Sequence, residues 1–421
     1  MIYNKTFPSG LRLVGETVAN SYGVSLGIMI DVGSVREDSS VNGYSHLIEH
    51  MQFKGTTTRT ARDISEQMED IGADLNAFTS KDTTCYYCRS ASQDIEKAMD
   101  MLSDMYFNAT FPDEELKREK KVVLEEIAMN NDSPEDVSQD VIAAAVYKGQ
   151  KIGQTILGPV ENIDNSDRHS ILKFKTQHYT PYTTVLSVAG NFDWDKICEL
   201  TDRYFEQNYT SVYCKPEEEE RSEYSTDFLT VYKPVDQAHL SVAAGVGCGL
   251  GDTDRCATLY LMSSALGGGL SSRLFQKIRE ESGLAYSVYS FLSVYKNSGY
   301  IEIYCGTNPD SVIKCTDLLR ETVCRFADDG ITQKELDRAK AHVVTAMGFS
   351  GESSLSRMRS NARQLLKLGK VLTLDEVLEP YTKVTIEDVN NCAREVLTGK
   401  LASSYVGKKQ SSSRCLKDFT I

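Results

Sequence analysis

The sequence predicts an α+β protein made of two homologous domains, each with a mostly antiparallel sheet covered by helices. Three observations predict this fold class. The chain of 421 residues is longer than one ordinary domain. A polar, acidic segment divides it into two halves of nearly equal length. Both halves show the same order of strand-like and helix-like segments, which indicates an internal repeat of about 200 residues.

The boundary between the halves is YTSVYCKPEEEERSEYSTDF, residues 209–228. Four glutamates follow Pro216, and a run of like charges is typical of a solvated linker. We therefore expect an N-terminal domain over 1–210, an acidic linker over 211–226 and a C-terminal domain over 227–421.

The apolar runs of the two halves correspond to each other. GVSLGIMIDVGS at 23–34 and AHLSVAAGVGCG at 238–249 are typical of buried strands that end in glycine. Helical segments and a second strand region follow in each half. A late strand then closes each half, at 183–192 and at 401–409. This order favours α+β domains over a doubly wound parallel sheet.

The composition argues against several classes of function. The net charge of −14 opposes binding to nucleic acid or to an anionic membrane, because both need a basic face. It is compatible with a basic or neutral polypeptide partner. No run approaches the roughly 18 apolar residues of a membrane-spanning helix, and the N-terminal residues lack the pattern of a signal or transit peptide. We therefore expect a cytoplasmic protein.

The eleven cysteines are scattered singly without regular spacing, which indicates reduced thiols. Cys85 and Cys88 have the CxxC spacing of a metal or redox motif. No second pair follows, however, and both lie in a strand-like segment, so we interpret them as structural residues.

The strongest functional motif is HLIEH at residues 46–50. Helical periodicity places His46 and His50 on one face, with Glu49 beside them. Two imidazoles on one face can bind a tetrahedral zinc ion while a carboxylate reaches a water molecule. The order H-x-x-E-H is the inverse of the more common zincin motif. The alternative is an ordinary amphipathic helix with two surface histidines.

A catalytic zinc site needs a third protein ligand, and the helical segment 116–135 offers Glu119, Glu125 and Glu126. Glu126 follows Glu119 by seven residues, so the two lie within about 20° of each other on a helix, whereas Glu125 points roughly 120° away. If this helix faces the zinc, Glu119 and Glu126 face it together.

These motifs resemble those of the pitrilysin-type inverzincin metallopeptidases, particularly the short chains related to mitochondrial processing peptidase and its bacterial counterparts. Five blocks are similar to family blocks in the family's order and span almost the whole chain: SHLIEHMQFKGT, GADLNAFTSKDTTCYYC, REKKVVLEEIAMNNDSPED, HYTPYTTVLSVAGNFD and LGGGLSSRLFQKIREESGLAYSVYS. Glu126 follows His50 by 76 residues, the spacing of the family's third zinc ligand. The resemblance thus implies Glu126 as ligand, Glu119 as supporting residue and one Zn²⁺ per chain.

The resemblance also implies roles in catalysis. Zinc would lower the pKa of its bound water and polarise the scissile carbonyl, and Glu49 would act as general base. Arg279 and Tyr286 match an Arg/Tyr pair of the family's C-terminal half, which hydrogen-bonds the substrate and the developing oxyanion. Without the resemblance, they would be a surface ion-pair arginine and a tyrosine that starts a strand.

Two segments resemble the family's substrate-binding elements. Asn76 and Ala77, within 72–87, would lie on an edge strand that binds the substrate backbone by strand addition. The segment GGGLSSR at 267–273 lacks the lysine and the spacing of a P-loop. It is either a flexible loop near the substrate path or a strand-to-helix turn. Its candidate residues are Gly267, Gly268 and Gly269.

Together these features predict a zinc-dependent endopeptidase that hydrolyses peptides or unfolded polypeptide segments in a chamber between domains. Long family members close four such domains as a clam shell, and this chain has two, so we expect a homodimer. Two alternatives remain open. One is a non-catalytic partner subunit resembling respiratory-complex core or inactive processing-peptidase subunits. The other is a processing enzyme that removes a targeting sequence.

Overall fold

The computed structural model describes residues 1–18, 21–211, 213–216 and 221–421. Within the predicted acidic linker 211–226, residues 212 and 217–220 lie outside the described residues. The strands of the described chain are β1 Ile2–Thr6, β2 Arg12–Thr17, β3 Gly23–Ile30, β4 Asp74–Thr79, β5 Thr84–Ala91, β6 Thr184–Gly190, β7 Phe228–Tyr232, β8 Ala238–Gly245, β9 Ala285–Val294, β10 Gly299–Thr307 and β11 Ala402–Gly407.

The α-helices of the same residues are α1 Tyr44–Met51, α2 Ala61–Glu69, α3 Ile95–Asn108, α4 Asp113–Asp132, α5 Pro134–Val146, α6 Val160–Asn165, α7 Arg168–His178, α8 Trp194–Tyr204, α9 Thr253–Gly267, α10 Val312–Asp329, α11 Gln333–Ser350, α12 Ser354–Leu368, α13 Leu374–Lys383 and α14 Ile386–Val396. A short π-helix, Phe275–Glu281, follows α9. None of the described helices is long and apolar enough to cross a bilayer.

The chain forms two compact units that exchange one segment each. Unit 1 comprises Met1–Ile127, Thr155–Glu218 and Gly348–Leu374, and unit 2 comprises Ala128–Gln154, Glu219–Met347 and Asp375–Ile421. Helix α12 therefore belongs to unit 1 and α5 to unit 2. The predicted domains, 1–210 and 227–421, are each one continuous stretch of chain, so the prediction does not include the two exchanged segments. Periodicity identifies a helix, but it does not identify the sheet on which the helix packs.

The two sheets share one topology. Unit 1 has the order β1-β2-β6-β3-β5-β4, and unit 2 has β7-β11-β8-β10-β9. If the strands are numbered along the chain, starting at β2 in unit 1 and at β7 in unit 2, both sheets have the same spatial order: first, fifth, second, fourth, third. In each sheet the first and fifth strands are parallel, and the other pairs are antiparallel. The predicted α+β class with mostly antiparallel sheets is confirmed.

Strand β3 shows why the sheet of unit 1 is covered on both faces. Leu26 and Ile28 belong to the core that includes Leu47 of α1. Met29 points to the opposite face and packs with Met358 of α12. A Cβ atom on Gly27 would lie 2.4 Å from the Met358 sulfur, so glycine is needed for α12 to lie this close.

The two cysteines of the CxxC motif point to opposite faces of β5. Cys85 packs in the apolar cluster under α12, whereas Cys88 packs in the larger core. Residues three apart on a strand cannot share one ligand position because side chains alternate between faces. The structural interpretation of this pair therefore fits its location, and none of the described cysteines forms a disulfide.

Candidate metal centre

Helix α1 is fixed at its start by a buried carboxylate. The Glu37 side chain accepts hydrogen bonds from the backbone N–H groups of Gly43 (2.7 Å) and Ser45 (2.6 Å). Gly43 has a φ of 101°, a left-handed conformation that favours glycine. The acceptor that satisfies the first turn of α1 is therefore Glu37, several residues upstream of the helix.

The buried side of α1 orients the metal motif. Leu47, Ile48 and Met51 are fully buried in the core of unit 1, so the opposite side of the helix carries His46 and His50. Their ring centres lie 4.7 Å apart. The packing of the apolar stripe thus directs both imidazoles to the same side, as the helical spacing predicts.

Helix α4 brings a carboxylate to the two imidazoles. Glu126 Oε2 lies 3.4 Å from His46 Nε2 and 3.4 Å from His50 Nε2, and one ligand atom from each residue lies within 4.8 Å of the others. Glu125 is exposed on another side of the helix. The structure therefore brings together His46, His50 and Glu126, the three predicted ligands.

This donor set fits zinc. Two atoms bound to one tetrahedral zinc ion at about 2.0–2.1 Å lie about 3.4 Å apart, which agrees with the Nε2–Oε2 distances. Two imidazoles and one carboxylate also form a known catalytic zinc set that keeps one position open. Burial, with a smaller contribution from His50, lowers the pKa of His46 to about 4, so its imidazole is neutral at pH 7 as a ligand must be.

The second imidazole is oriented by a further carboxylate. Glu119 Oε2 lies 3.1 Å from His50 Nδ1, and Lys54 Nζ lies 2.8 Å from Glu119 Oε1. Burial raises the pKa of Glu119, but the hydrogen bonds with His50 and Lys54 outweigh it and hold the pKa below its usual value. A carboxylate on Nδ1 leaves Nε2 of His50 directed at Glu126, the arrangement expected behind a metal ligand.

Glu49 lies beside this cluster and contacts β4. The Thr79 hydroxyl donates a hydrogen bond to Glu49 Oε2. Burial raises the pKa of Glu49; the Thr79 hydrogen bond and His50 oppose that shift, and the charge of Glu126 adds to it. A carboxyl whose pKa is raised toward neutral pH is a better proton acceptor for general base catalysis than an ordinary surface carboxylate.

Strand β4 is one of the two edge strands of the sheet in unit 1, and β1 is the other. The Asn76 side chain is exposed, and its Oδ1 accepts a hydrogen bond from the Ala77 N–H at 2.7 Å. This N–H therefore points away from β5. The two predicted substrate-binding residues lie on an edge strand whose end, at Thr79, contacts Glu49.

Arg279 and Tyr286 meet within unit 2. Arg279 lies on the π-helix and Tyr286 is the second residue of β9. The Arg279 guanidinium lies 4.8 Å from the ring centre of Tyr286, a cation–π distance. Tyr286 is 74% exposed, so the pair has an open side.

The glycine-rich segment 267–273 is not a strand-to-helix turn, which was one of its two predicted interpretations. It joins the end of α9 to the π-helix, so that alternative is wrong because the preceding element is a helix. A Cβ on Gly267 would lie 2.3 Å from the Ser290 nitrogen, and one on Gly268 would lie 2.7 Å from the Ser264 Cα. These two glycines allow close packing, whereas Gly269 has open space.

Two family models match consecutive parts of the chain. The insulinase (peptidase family M16) model matches residues 14–160, and the peptidase M16 inactive domain model matches residues 166–343. The chain is 39% identical over 407 residues to an uncharacterized zinc protease, YmxG, of Bacillus subtilis, covering 96% of this chain and 98% of the relative. The chain belongs to the M16 (insulinase) family of peptidases. The resemblance inferred from the motifs is thus confirmed.

Other relatives extend the comparison of this M16 chain. An uncharacterized zinc protease of Mycobacterium leprae is 35% identical over 405 residues, covering 96% of this chain and 91% of the relative. A crystal structure of a protease from Helicobacter pylori has a TM-score of 0.90 at 21% identity, covering 97% of this chain and 99% of that one. A peptidase M16 inactive domain structure from Pseudomonas fluorescens has a TM-score of 0.89 at 20% identity, covering 97% and 98%. The solved structures support the M16 fold.

Three residues near the cluster escaped the sequence analysis. Lys54 pairs with Glu119, Thr79 bonds Glu49, and Glu37 fixes the start of α1. Strand alternation could have found Thr79, because it shares a face of β4 with Leu75 and Ala77. Nothing in the spacing identifies Glu37, which reaches α1 through a loop.

Proposed function

We propose that this M16 chain is a zinc-dependent endopeptidase that acts on peptides or unfolded polypeptide segments. The observation that carries the proposal is the geometry of His46, His50 and Glu126, whose donor atoms are spaced as ligands of one tetrahedral zinc ion. Relatives named zinc proteases support the same chemistry. We propose one zinc ion per chain.

The residues around the proposed zinc ion would have different roles in catalysis. A zinc ion held by the three side chains would supply a Lewis acid that polarises the scissile carbonyl and lowers the pKa of water. Glu49 would take a proton from the attacking water and pass it to the leaving amine, with Thr79 holding the carboxylate in place. Glu119 and Lys54 would orient His50.

The substrate would bind through its backbone. An extended peptide can add to the free edge of β4 at Asn76 and Ala77. We further propose that Arg279 and Tyr286 hydrogen-bond the substrate and the developing oxyanion, and that Gly267, Gly268 and Gly269 lie along the substrate path. The exposed Tyr286 ring and the open space at Gly269 are compatible with these roles.

Catalysis by Glu49 is tested by comparing three proteins: wild type, Glu49→Gln and Glu125→Gln. Each is assayed for bound zinc and for hydrolysis of a quenched fluorescent peptide library. We expect all three to bind zinc, and only Glu49→Gln to lose hydrolysis, because Glu125 is exposed away from the cluster. Equal hydrolysis by wild type and Glu49→Gln would contradict the mechanism.

The main alternative is a non-catalytic partner subunit. The match of residues 166–343 to the peptidase M16 inactive domain model makes it a specific candidate, although the three proposed ligands lie in the part matched by the insulinase model. Wild-type protein that binds no zinc and cleaves no peptide would favour this alternative.

We propose that the working form is a homodimer enclosing the substrate, in the cytoplasm. Light scattering should then give twice the mass of one chain, and dissociated chains should lose hydrolysis. A monomer with full activity would reject the dimer without affecting the zinc chemistry. A role in removing targeting sequences would require preferential cleavage of basic presequence peptides over the library.

A further inference from the structure

The edge strand β4 has one face turned away from the metal cluster. Leu75 and Ala77 pack in the core that includes α1, whereas Phe78 packs in the cluster under α12. Because side chains alternate along a strand, Asn76 lies on the same face as Phe78. On β5, Tyr87 stands opposite Asn76. We refer to this side of β4 and β5 as the α12 face.

Arg359 of α12 lies over this face at the edge of the sheet. Its guanidinium is 4.4 Å from the Tyr87 ring centre and 5.0 Å from the Phe78 ring centre. It therefore spans the last two strands and reaches the outermost one.

Arg359 differs from other cations on the same helix. Arg357 is paired with Glu16, and Lys367 is paired with Asp31. Within the described residues, Arg359 has the two ring contacts but no carboxylate partner, and its buried Nε has no hydrogen-bond acceptor. The Arg359 guanidinium thus has no carboxylate to compensate its charge, so it would gain from an anionic partner supplied from outside the chain.

We propose that Arg359 forms a subsite for an acidic side chain of the bound peptide. The inference rests on the proposed function, in which the peptide pairs with the free edge of β4. A strand added there lies about 4.8 Å from β4 and turns alternate side chains to the α12 face. A carboxylate on such a side chain, beside Phe78, can accept two parallel hydrogen bonds from the guanidinium.

The position of the subsite follows from the strand register. Thr79, which contacts Glu49, neighbours Phe78 and points to the opposite face. The acidic residue is therefore adjacent in the peptide to the residue that faces the catalytic base. At the other end of β4, Asp74 stands opposite Arg89, and both are exposed. The opposite charges of Asp74 and Arg89 offset each other, so that end of β4 offers no uncompensated cation to an acidic side chain.

The subsite is tested by peptide binding to the full chain carrying Glu49→Gln and loaded with zinc. The probes are fluorescent peptides with Asp at one position and matched peptides with Asn there, scanned along the sequence. We expect one position at which Asp binds at least about tenfold more tightly than Asn, as a hydrogen bond between charged groups provides.

Variants of Arg359 then assign the preference. Arg359→Gln should abolish it, Arg359→Lys should retain part of it, and Arg359→Glu should reverse it toward peptides with Lys at that position. Arg62→Gln removes an exposed arginine of α2 and should keep the wild-type preference. Circular dichroism of each variant confirms that it is folded.

The outcomes separate this proposal from the proposed function. Equal affinity for Asp and Asn peptides at every position, or no binding of any peptide, would overturn the subsite. A preference that persists in Arg359→Gln and Arg359→Glu would also overturn it. Hydrolysis is measured separately with Glu49 present: cleavage without acidic preference rejects only the subsite, and acidic preference without cleavage rejects only the peptidase.

Discussion

Units 1 and 2 share one strand order, yet among the described residues only unit 1 has a cluster of side chains that could bind a metal ion. The corresponding helices α4 and α11 show where they differ. Their buried residues begin with Leu116, Glu119 and Val123 in α4, and with Leu336, Ala339 and Val343 in α11. The spacing is identical, and only the middle residue changes from a carboxylate to a methyl group.

The place between α9 and α11 in unit 2 holds a small cavity. Its volume is about 70 Å³, and Ser264, Ala339 and His342 are among its lining residues. Ala339 therefore leaves space where α4 has the Glu119 carboxylate, although the Glu335 carboxylate also lines this cavity. The chemistry proposed for unit 1 depends on a few polar residues in a helical framework that unit 2 builds without them.

The helix over the second face of each sheet is held differently in the two units. In unit 1, Lys367 of α12 pairs with Asp31 (2.5 Å) and Asp82 (3.1 Å). In unit 2, Gln139 of α5 donates to Glu302 at 3.2 Å, and Glu302 has no cationic partner among the described residues. The exchanged helices are thus anchored by ion pairs in unit 1 and by a hydrogen bond to a buried carboxyl group in unit 2.

The largest effect is expected when a proposed zinc ligand of unit 1 is removed, because unit 1 then lacks a complete metal site, as unit 2 does. His50→Ala should abolish zinc binding and hydrolysis, because two ligands do not hold a catalytic zinc ion. His169→Ala, which changes an exposed histidine of α7, is the matched control and should retain both. Zinc is measured by atomic emission after dialysis. Zinc retained by His50→Ala would place the metal elsewhere.

The charged anchor of α12 predicts the next effect. Lys367→Met should lower the free energy of unfolding by about 3–5 kcal/mol, because it removes the cation that the buried Asp82 carboxylate contacts and leaves Asp31 with Arg36 alone. Lys370→Met, at an exposed position, should change it by less than about 0.5 kcal/mol. Urea unfolding followed by circular dichroism measures both. A loss no larger than that of the control would show that the ion pairs do not anchor α12.

The anchor of α5 should respond to pH. Burial raises the pKa of Glu302 to about 8, although hydrogen bonds with Ser241 and Gln139 oppose the shift. An unfolded glutamate has a pKa of about 4.3, so between these values the folded state binds more protons. The free energy of unfolding should therefore fall as pH rises toward about 8, by up to a few kcal/mol, and level off above it.

Glu302→Gln isolates this pH term. Its free energy of unfolding should lack the part of the decline that wild type shows between about pH 5 and about pH 8. Urea unfolding at several pH values measures the difference. Parallel curves for the two proteins would mean that Glu302 does not titrate with a raised pKa.

The smallest effect is expected at Glu119, the residue of α4 that corresponds to Ala339 of α11. Glu119→Gln should weaken zinc binding about 10–100-fold, as loss of a carboxylate behind a histidine ligand does, while the helix content stays unchanged. Competition with a chromogenic chelator measures the affinity. Unchanged affinity would reduce Glu119 to a packing residue, as Ala339 is in unit 2.

Local periodicity predicted which side chains of the candidate metal centre share a helix face, and the family resemblance selected Glu126 rather than Glu119 as the ligand. The phase of α4 separates Glu119 and Glu126 from Glu125, and the structure places them accordingly. The paired apolar runs at 23–34 and 238–249 became β3 and β8. These features depend on neighbours in sequence, so spacing reveals them.

Features that depend on distant contacts were not predictable. The placement of α12 on the sheet of unit 1 depends on Gly27, Met358 and the Lys367 ion pairs, which join residues hundreds of positions apart. Arg359 shows no motif because its significance comes from the rings beneath it. A single sequence contains no signal that pairs such positions.

The most direct test of the account is X-ray absorption spectroscopy at the zinc edge of the wild-type protein. We predict nitrogen and oxygen ligands with the scattering of two imidazoles, and loss of that signal in Glu126→Gln measured at limiting zinc. Sulfur scattering, or an unchanged spectrum in Glu126→Gln, would contradict the assignment of zinc to His46, His50 and Glu126.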